Sequence, residues 1–210
     1  NGVRDGLIYI QVTRGTAPRD HAFPANVKPT LVMTTKRVDY LHQKNILEGV
    51  KIVTTPDLRW ARCDIKSVSL LPNCIAKTEA RRAGAGEAWM VDLDGYVTEG
   101  TSSNAWIVTH NDKLLTRATT DNILRGVTRG TLMDLAKEMS LTFEERPFTV
   151  EEAKSAREAF SSSATSFVTH VIQIANTVLG NGAPGLFTER LQGSNREYGR
   201  NQTAEPATHN

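Results

Sequence analysis

Sulfur is scarce in this chain. Cys63 and Cys74 are its 2 cysteines among 210 residues. One possible bridge is no disulfide scaffold, so two reduced, buried thiols are expected. The 5 histidines are scattered, with no pair at ligand spacing, and a metal centre is not expected. Long apolar runs are missing as well; none approaches the roughly 20 residues a membrane-spanning helix needs. Basic blocks are absent, because 25 Lys and Arg are interspersed with 23 Asp and Glu for a net charge of +2. Nucleic acid is therefore not an expected partner. The opening NGVRDGLIYI has neither a signal-peptide layout nor an initiator methionine. The expectation is a cytoplasmic protein whose sequence starts partway along a longer chain.

What is present suffices for a real core: 39% of the residues are hydrophobic. Residues 7–13, LIYIQVT, alternate in strand fashion, with Ile8, Ile10 and Val12 on one side. RGTAPRDHAFP at 14–24 is a loop punctuated by Gly15, Pro18 and Pro24. TLVMTT and GVKIVTT read as further strands. LLPNCIAKTEARRAGA reads as a helix with Leu70, Leu71, Cys74 and Ile75 as its apolar stripe. Pro72 falls in its first turn and Gly84 at its stop. EAWMVD and NAWIVT are strands on either side of LDGYVTEGTSS, where Asp94-Gly95 signals a hairpin turn. KLLT is a strand. A helix follows from near Gly126, with Leu132, Leu135, Ala136 and Met139 on one face. TFEERPF, EAFSSS and SFVTHVIQI read as strands, TVEEAKSA as a short helix, and LFTERLQ as part of a last helix. From Gly193 the chain is polar and aperiodic, a loose tail. Strands outnumber helices and often follow each other directly, so the class is α+β with a largely antiparallel or barrel-like sheet.

Five stretches could carry chemistry. In LRWARCDIKSVSLL, at 58–71, Lys66 sits at what reads as a strand end. An isolated lysine there snorkels to water. Flanked by Ile65 and Val68, it could instead be partly desolvated, which favours the neutral, nucleophilic amine. Lys77 is its nearest rival and reads as a solvated helix face. Glu99, in DGYVTEGTSSN, is a surface carboxylate unless it faces a cofactor ring, where it could keep a pyridine nitrogen protonated. The backbone amides of Val127 and Thr128 open a helix, a place where phosphate can bind. SSSATS at 161–166 is a hydroxyl-rich turn. Arg19 and His21 lie two apart in the 14–24 loop, and a guanidinium can clamp a carboxylate bidentately.

In their order and spacing, RCDIKSVSLLPN, RAGAGEAW, DGYVTEGTSSNAWIV and ILRGVTR resemble the class IV aminotransferases, the fold-type IV pyridoxal phosphate enzymes. The likeness runs over about residues 6–192. Within that family, YIQVTRGTAPRDHAFP looks most like D-amino acid aminotransferase. The resemblance implies a fold-type IV large domain at 41–192, a barrel-like mixed sheet with flanking helices. Residues 1–40 would be the end of a smaller N-terminal domain whose remainder precedes them, and 193–210 a disordered tail.

Its implied cofactor is pyridoxal 5'-phosphate and its implied substrates are small: an amino acid and a 2-oxo acid. Lys66 would form the Schiff base and shuttle the proton. Glu99 would pair with the pyridine nitrogen. Leu124, Val127, Thr128, Ser163 and Ala164 would line the cofactor. Arg19, His21 and Ser163 would bind substrate, the first two reaching the partner's site in a homodimer. Arg59 and Glu87 would form a supporting charged pair. Ala164 stands where many relatives carry a phosphate-binding threonine hydroxyl. The reaction implied is ping-pong amino transfer with a D-amino acid. A branched-chain or (R)-amine transaminase, an aminodeoxychorismate lyase and an inactive truncated cofactor-binding domain are the alternatives.

Overall fold

In the computed structural model of the chain, the residues described are 2, 3, 5–40, 42–139 and 141–203. The chain divides into two compact units, Asn1–Gln43 and Lys44–Asn210.

The first unit is a two-stranded antiparallel ribbon, β1 (Gly6–Thr13) and β2 (Thr30–Arg37), in register from Gly6 opposite Arg37 to Thr13 opposite Thr30. The alternation read in 7–13 is real, and it places Ile8, Ile10 and Val12 beside Thr35, Met33 and Leu31 on one face. That face is exposed. The 14–24 loop joins the strands.

The second unit is built on a curled mixed sheet ordered β5-β4-β3-β10-β9-β6-β7-β8, with β11 (Thr177–Val178) beside β10. The strands are β3 (Val50–Pro56), β4 (Glu87–Val91), β5 (Val97–Gly100), β6 (Asn104–Val108), β7 (Lys113–Thr116), β8 (Thr142–Glu145), β9 (Glu158–Ser163) and β10 (Phe167–Ile174). Pairs β3–β4, β3–β10 and β7–β8 are parallel and the rest antiparallel. Alternation along β6 sends Ala105 and Ile107 into one core cluster with Trp89, Val97 and Phe148, and Trp106 and Val108 into another. The second cluster is closed by α3 (Val127–Glu138) and α5 (Leu186–Thr203). Along α3, Leu132, Leu135 and Ala136 are buried, as their spacing requires, and Met139 packs against them. α1 (Lys44–Glu48) and α4 (Val150–Lys154) are short; Thr149 caps α4 by accepting the Glu152 N–H at 3.1 Å.

Local signals hold where a turn demands them. Gly95 takes φ +84° between β4 and β5, and Gly84 takes φ +70° just past α2 (Leu71–Arg82). Four expectations fail. The stripe of Leu70, Leu71, Cys74 and Ile75 faces outward; α2 packs on β4 through Ala76 and Ala80, because small side chains let helix and sheet approach closely. The cysteines are accordingly not buried: Cys74 is exposed and Cys63 half-buried. β5, four residues buried along their whole length, shows no alternation and was not anticipated inside LDGYVTEGTSS. The helix does not end at Gly193. α5 runs to Thr203 and docks through Phe187 and Leu191 and through Gln192, whose amide donates to Ile46 O at 3.3 Å and Val168 O at 2.8 Å. Positions 204–210 of the expected tail lie outside the described residues.

Candidate active site

β5 carries Glu99 into the interior, where the residue is 5% exposed. Three groups from separate segments donate to its carboxylate. Arg59 Nη1 reaches Oε1 in a close ion pair. The Leu124 N–H is shared between both oxygens at 3.2 Å each. Asn104 Nδ2, from the first residue of β6, donates to Oε2 at 3.0 Å and to the Leu124 carbonyl at 3.0 Å. With the Leu124 N–H shared, each oxygen accepts from two groups. Burial pushes the Glu99 carboxyl up, against the opposing pull of the Arg59 charge and the hydrogen bonds from Arg59 and Leu124.

Arg59 is itself gripped. Asp57 Oδ1 accepts its Nε at 2.9 Å and its backbone N–H at 3.1 Å, and Asp57 Oδ2 accepts Nη2 at 2.7 Å. Thr98 Oγ1 donates to Asp57 Oδ2 at 2.7 Å, and Arg59 Nη2 donates to Asn122 O at 3.1 Å. Burial works to raise the Asp57 carboxyl, but the hydrogen bonds from Arg59 and Thr98 outweigh it and hold it below its ordinary value. Burial likewise works against the Arg59 charge, and the hydrogen bond to Asp57 with the Glu99 charge overrides it, so the guanidinium stays firmly charged. Breaking such a buried network strands a charge without a partner.

Gly126 starts α3 in extended geometry, φ −65° and ψ 140°, with no side chain capping the helix and no acidic residue in its first turn. The N–H groups of Val127 and Thr128 thus lie where a helix has free donors. Val127 is exposed and Thr128 half-buried. Pyridoxal phosphate needs an acceptor for a ring N–H and donors for a phosphate. Glu99 and the uncapped start of α3, linked through Leu124 and Asn104, are the residues that could hold these two ends.

Lys66 departs from expectation. The 57–70 segment between β3 and α2 is a loop rather than a strand end, and Lys66, Ile65 and Val68 are exposed on it. Among the described residues no strand pairs with this loop, so the side chain gains no burial from the sheet. Among the described residues no hydrogen bond or ion pair joins Lys66 to Glu99. The loop is nevertheless fastened around the Glu99 cluster: by Arg59, by Cys63 N–H to Asp121 O at 2.7 Å, and just beyond it by Asn73 Nδ2 to Thr101 O at 2.9 Å.

The expected Arg59–Glu87 pair is not formed. Glu87, at the start of β4, faces α2; it accepts from Ala88 N–H, from Thr101 and Ser103, and pairs with Lys77 at 3.4 Å. Lys77 is therefore half-buried and bound, with its Nζ also donating to Gly86 O at 2.6 Å, and is no solvated rival to Lys66.

The serine run divides. Ser161 and Ser162 are buried strand residues accepting the indole N–H of Trp89 at 3.0 Å and of Trp106 at 2.8 Å. Ser163 opens the turn, where its Oγ contacts Ser166 Oγ at 2.7 Å and accepts the Ser166 N–H at 3.1 Å; Ala164 is exposed. In the other unit, Arg19 and His21 are exposed on the 14–24 loop, where Asp20 Oδ1 accepts the His21 N–H at 2.6 Å.

Asp57 and Asn104 are the site residues that the sequence reading missed. Asp57 had a signal, an aspartate two residues before Arg59; Asn104, heading an apolar strand, had none beyond its polarity.

The family model for amino-transferase class IV matches residues 1–174. D-alanine aminotransferase of Bacillus licheniformis is 41% identical over 192 residues, spanning 91% of this chain and 67% of that protein. D-alanine aminotransferase of Staphylococcus haemolyticus is 38% identical over 199 residues, spanning 94% of this chain and 70% of that one. Among solved structures, the Escherichia coli branched-chain amino acid aminotransferase superposes with a TM-score of 0.82 at 23% identity, over 97% of this chain and 68% of that one. A putative 4-amino-4-deoxychorismate lyase from Legionella pneumophila gives 0.78 at 24% identity, over 94% and 69%. Both share the curled sheet and its flanking helices. The chain belongs to the class IV aminotransferases, pyridoxal-phosphate-dependent enzymes of this fold.

Proposed function

We propose that this chain transfers an amino group between a D-amino acid, such as D-alanine, and a 2-oxo acid in a ping-pong reaction dependent on pyridoxal phosphate. The observation that carries this reading is the buried Glu99 carboxylate, fixed by three donors and tied to the uncapped start of α3. Identities of 41% and 38% to two D-alanine aminotransferases support the choice of substrate.

Pyridoxal phosphate, when bound, supplies the electron sink that makes the substrate Cα proton removable. The protein's part is to hold, orient and move protons. Glu99 would accept the ring N–H, with the Leu124 N–H it shares between its oxygens giving way, and Arg59, clamped by Asp57, keeps that carboxylate from turning away. The N–H groups of Val127 and Thr128 hold the phosphate, with Ser163 adding a hydroxyl. Ala164 brings no hydroxyl, which leaves its share of the work to the backbone. Lys66 Nζ takes the proton from the substrate Cα and later returns one, a task suited to a flexible, loop-borne amine. Arg19 and His21 clamp the substrate carboxylate. A homodimer, in which each protomer's 14–24 loop serves the other's site, is the proposed assembly.

The test is a set of half-reactions followed at the cofactor absorbance. D-alanine is expected to convert the bound cofactor, with L-leucine and an (R)-amine far slower. Conversion by L-leucine or the amine alone would overturn the assignment.

A further inference from the structure

Asn104 is buried, 5% exposed, yet its side chain serves neither the sheet nor a turn of its own. Its two amide hydrogens go to different segments, one to Glu99 Oε2 and one to the Leu124 carbonyl, each at 3.0 Å. The orientation is forced, because the flipped amide would set its oxygen against two acceptors. Leu124 returns its own N–H to both Glu99 oxygens, closing a triangle among β5, β6 and the 121–126 segment. The other end of the carboxamide lies close against Gly126: a Cβ there would land on Asn104 Oδ1, well inside van der Waals contact. Gly126 is the residue from which α3 begins. Asn104 also stands opposite Ser162 in the β6–β9 register, one residue before Ser163.

From this geometry we propose that Asn104 is a positioning residue. It locks the carboxylate that faces the cofactor's ring nitrogen to the turn that holds its phosphate, fixing the separation of the two anchors. The proposal rests on the assignment of Glu99 and α3 to the two ends of pyridoxal phosphate. Its consequence concerns the linkage between the ends. A ligand carrying both ring and phosphate gains from a preset spacing; a ligand carrying one end does not.

Three probes separate the linkage from either end alone: pyridoxal phosphate, pyridoxal and inorganic phosphate, each titrated by absorbance or by thermal shift. Asn104→Ala is expected to weaken pyridoxal phosphate by about tenfold or more, and pyridoxal and inorganic phosphate by about threefold or less. Gly126→Ala supplies a second route, since its methyl pushes the carboxamide aside. Alone it is expected to cost about tenfold in pyridoxal phosphate affinity, and in the Asn104→Ala background less than about twofold, because the clash is gone.

Equal weakening for all three probes would overturn the proposal, as would unchanged affinity in Asn104→Ala or full additivity of the two substitutions. A wild-type protein that takes up no pyridoxal phosphate would remove the reading beneath the proposal and the proposal with it. Uptake by the wild type without the linkage effect would remove the proposal alone.

Discussion

Glu99 and Lys66 are the two ends of the proposed chemistry, and the fold treats them oppositely. Glu99 sits in a strand that is buried throughout, with donors arriving from the 57–70 loop, β6 and the 121–126 segment. Lys66 sits on an exposed loop fastened around the site by its neighbours and not by itself. A group that must keep one position relative to a ring is held by several partners. A group that must carry a proton from atom to atom is left with its own torsions. The costs of altering them should differ in kind: function without stability at Lys66, and stability together with function around Glu99.

The largest effect is expected at Lys66. Lys66→Ala should reduce amino transfer by about ten-thousand-fold, while urea unfolding moves by no more than about 0.5 kcal/mol, since an exposed side chain has no packing to lose. A comparable loss of stability would erase the contrast. The reverse pattern belongs to Arg59. Arg59→Met leaves Asp57 and Glu99 as neighbouring buried carboxylates, and urea unfolding should register a loss of about 3–5 kcal/mol.

His170 offers a control in the same sheet but away from the Glu99 cluster. Burial pushes its imidazole down to about 4, with Arg196 reinforcing that and Glu158 opposing it. A base whose folded value is depressed contributes stability that is full above the unfolded value near 6.5 and is lost as pH falls toward 4. Its share, allowing for solvent screening, is about 2 kcal/mol. Asp57, held low, adds loss in the same direction at more acid pH, whereas Glu99, pushed up, is relieved by protonation. Comparing His170→Asn with wild type between pH 7 and 4 isolates the imidazole, and the variant should show the shallower decline. The smallest effect is expected on α2. Leu71→Ser and Ile75→Ser should each change unfolding free energy by less than about 0.5 kcal/mol, because the helix packs through Ala76 and Ala80.

That last contrast shows what sequence patterning can and cannot reveal. Helical spacing located the buried face of α3, because there the large apolar residues are the packed ones; alternation located β1 although its apolar face is exposed. In α2 the packed residues are alanines, and the leucines mislead. β5 is buried on both sides and so short that no period develops, which hid the strand that carries Glu99. Beyond Leu191 the buried residues of α5 are Gln192 and Asn195, polar residues without a hydrophobic rhythm. At the site, the family resemblance proposed Lys66, Glu99, Val127 and Thr128; of these the fold buries Glu99 and leaves Lys66 exposed. The partner of Arg59 was not legible. Which carboxylate a guanidinium meets depends on how the loop crosses β5, and Glu87 and Glu99 are equally plausible until the sheet is drawn.

Reduction of the protein with borohydride in the presence of pyridoxal phosphate, followed by peptide mass spectrometry, bears on the division of labour between these two ends. One pyridoxyl-phosphate adduct on Lys66 is expected, absent from Lys66→Ala. An adduct on Lys77 or elsewhere, or none under conditions where the cofactor is bound, would contradict it.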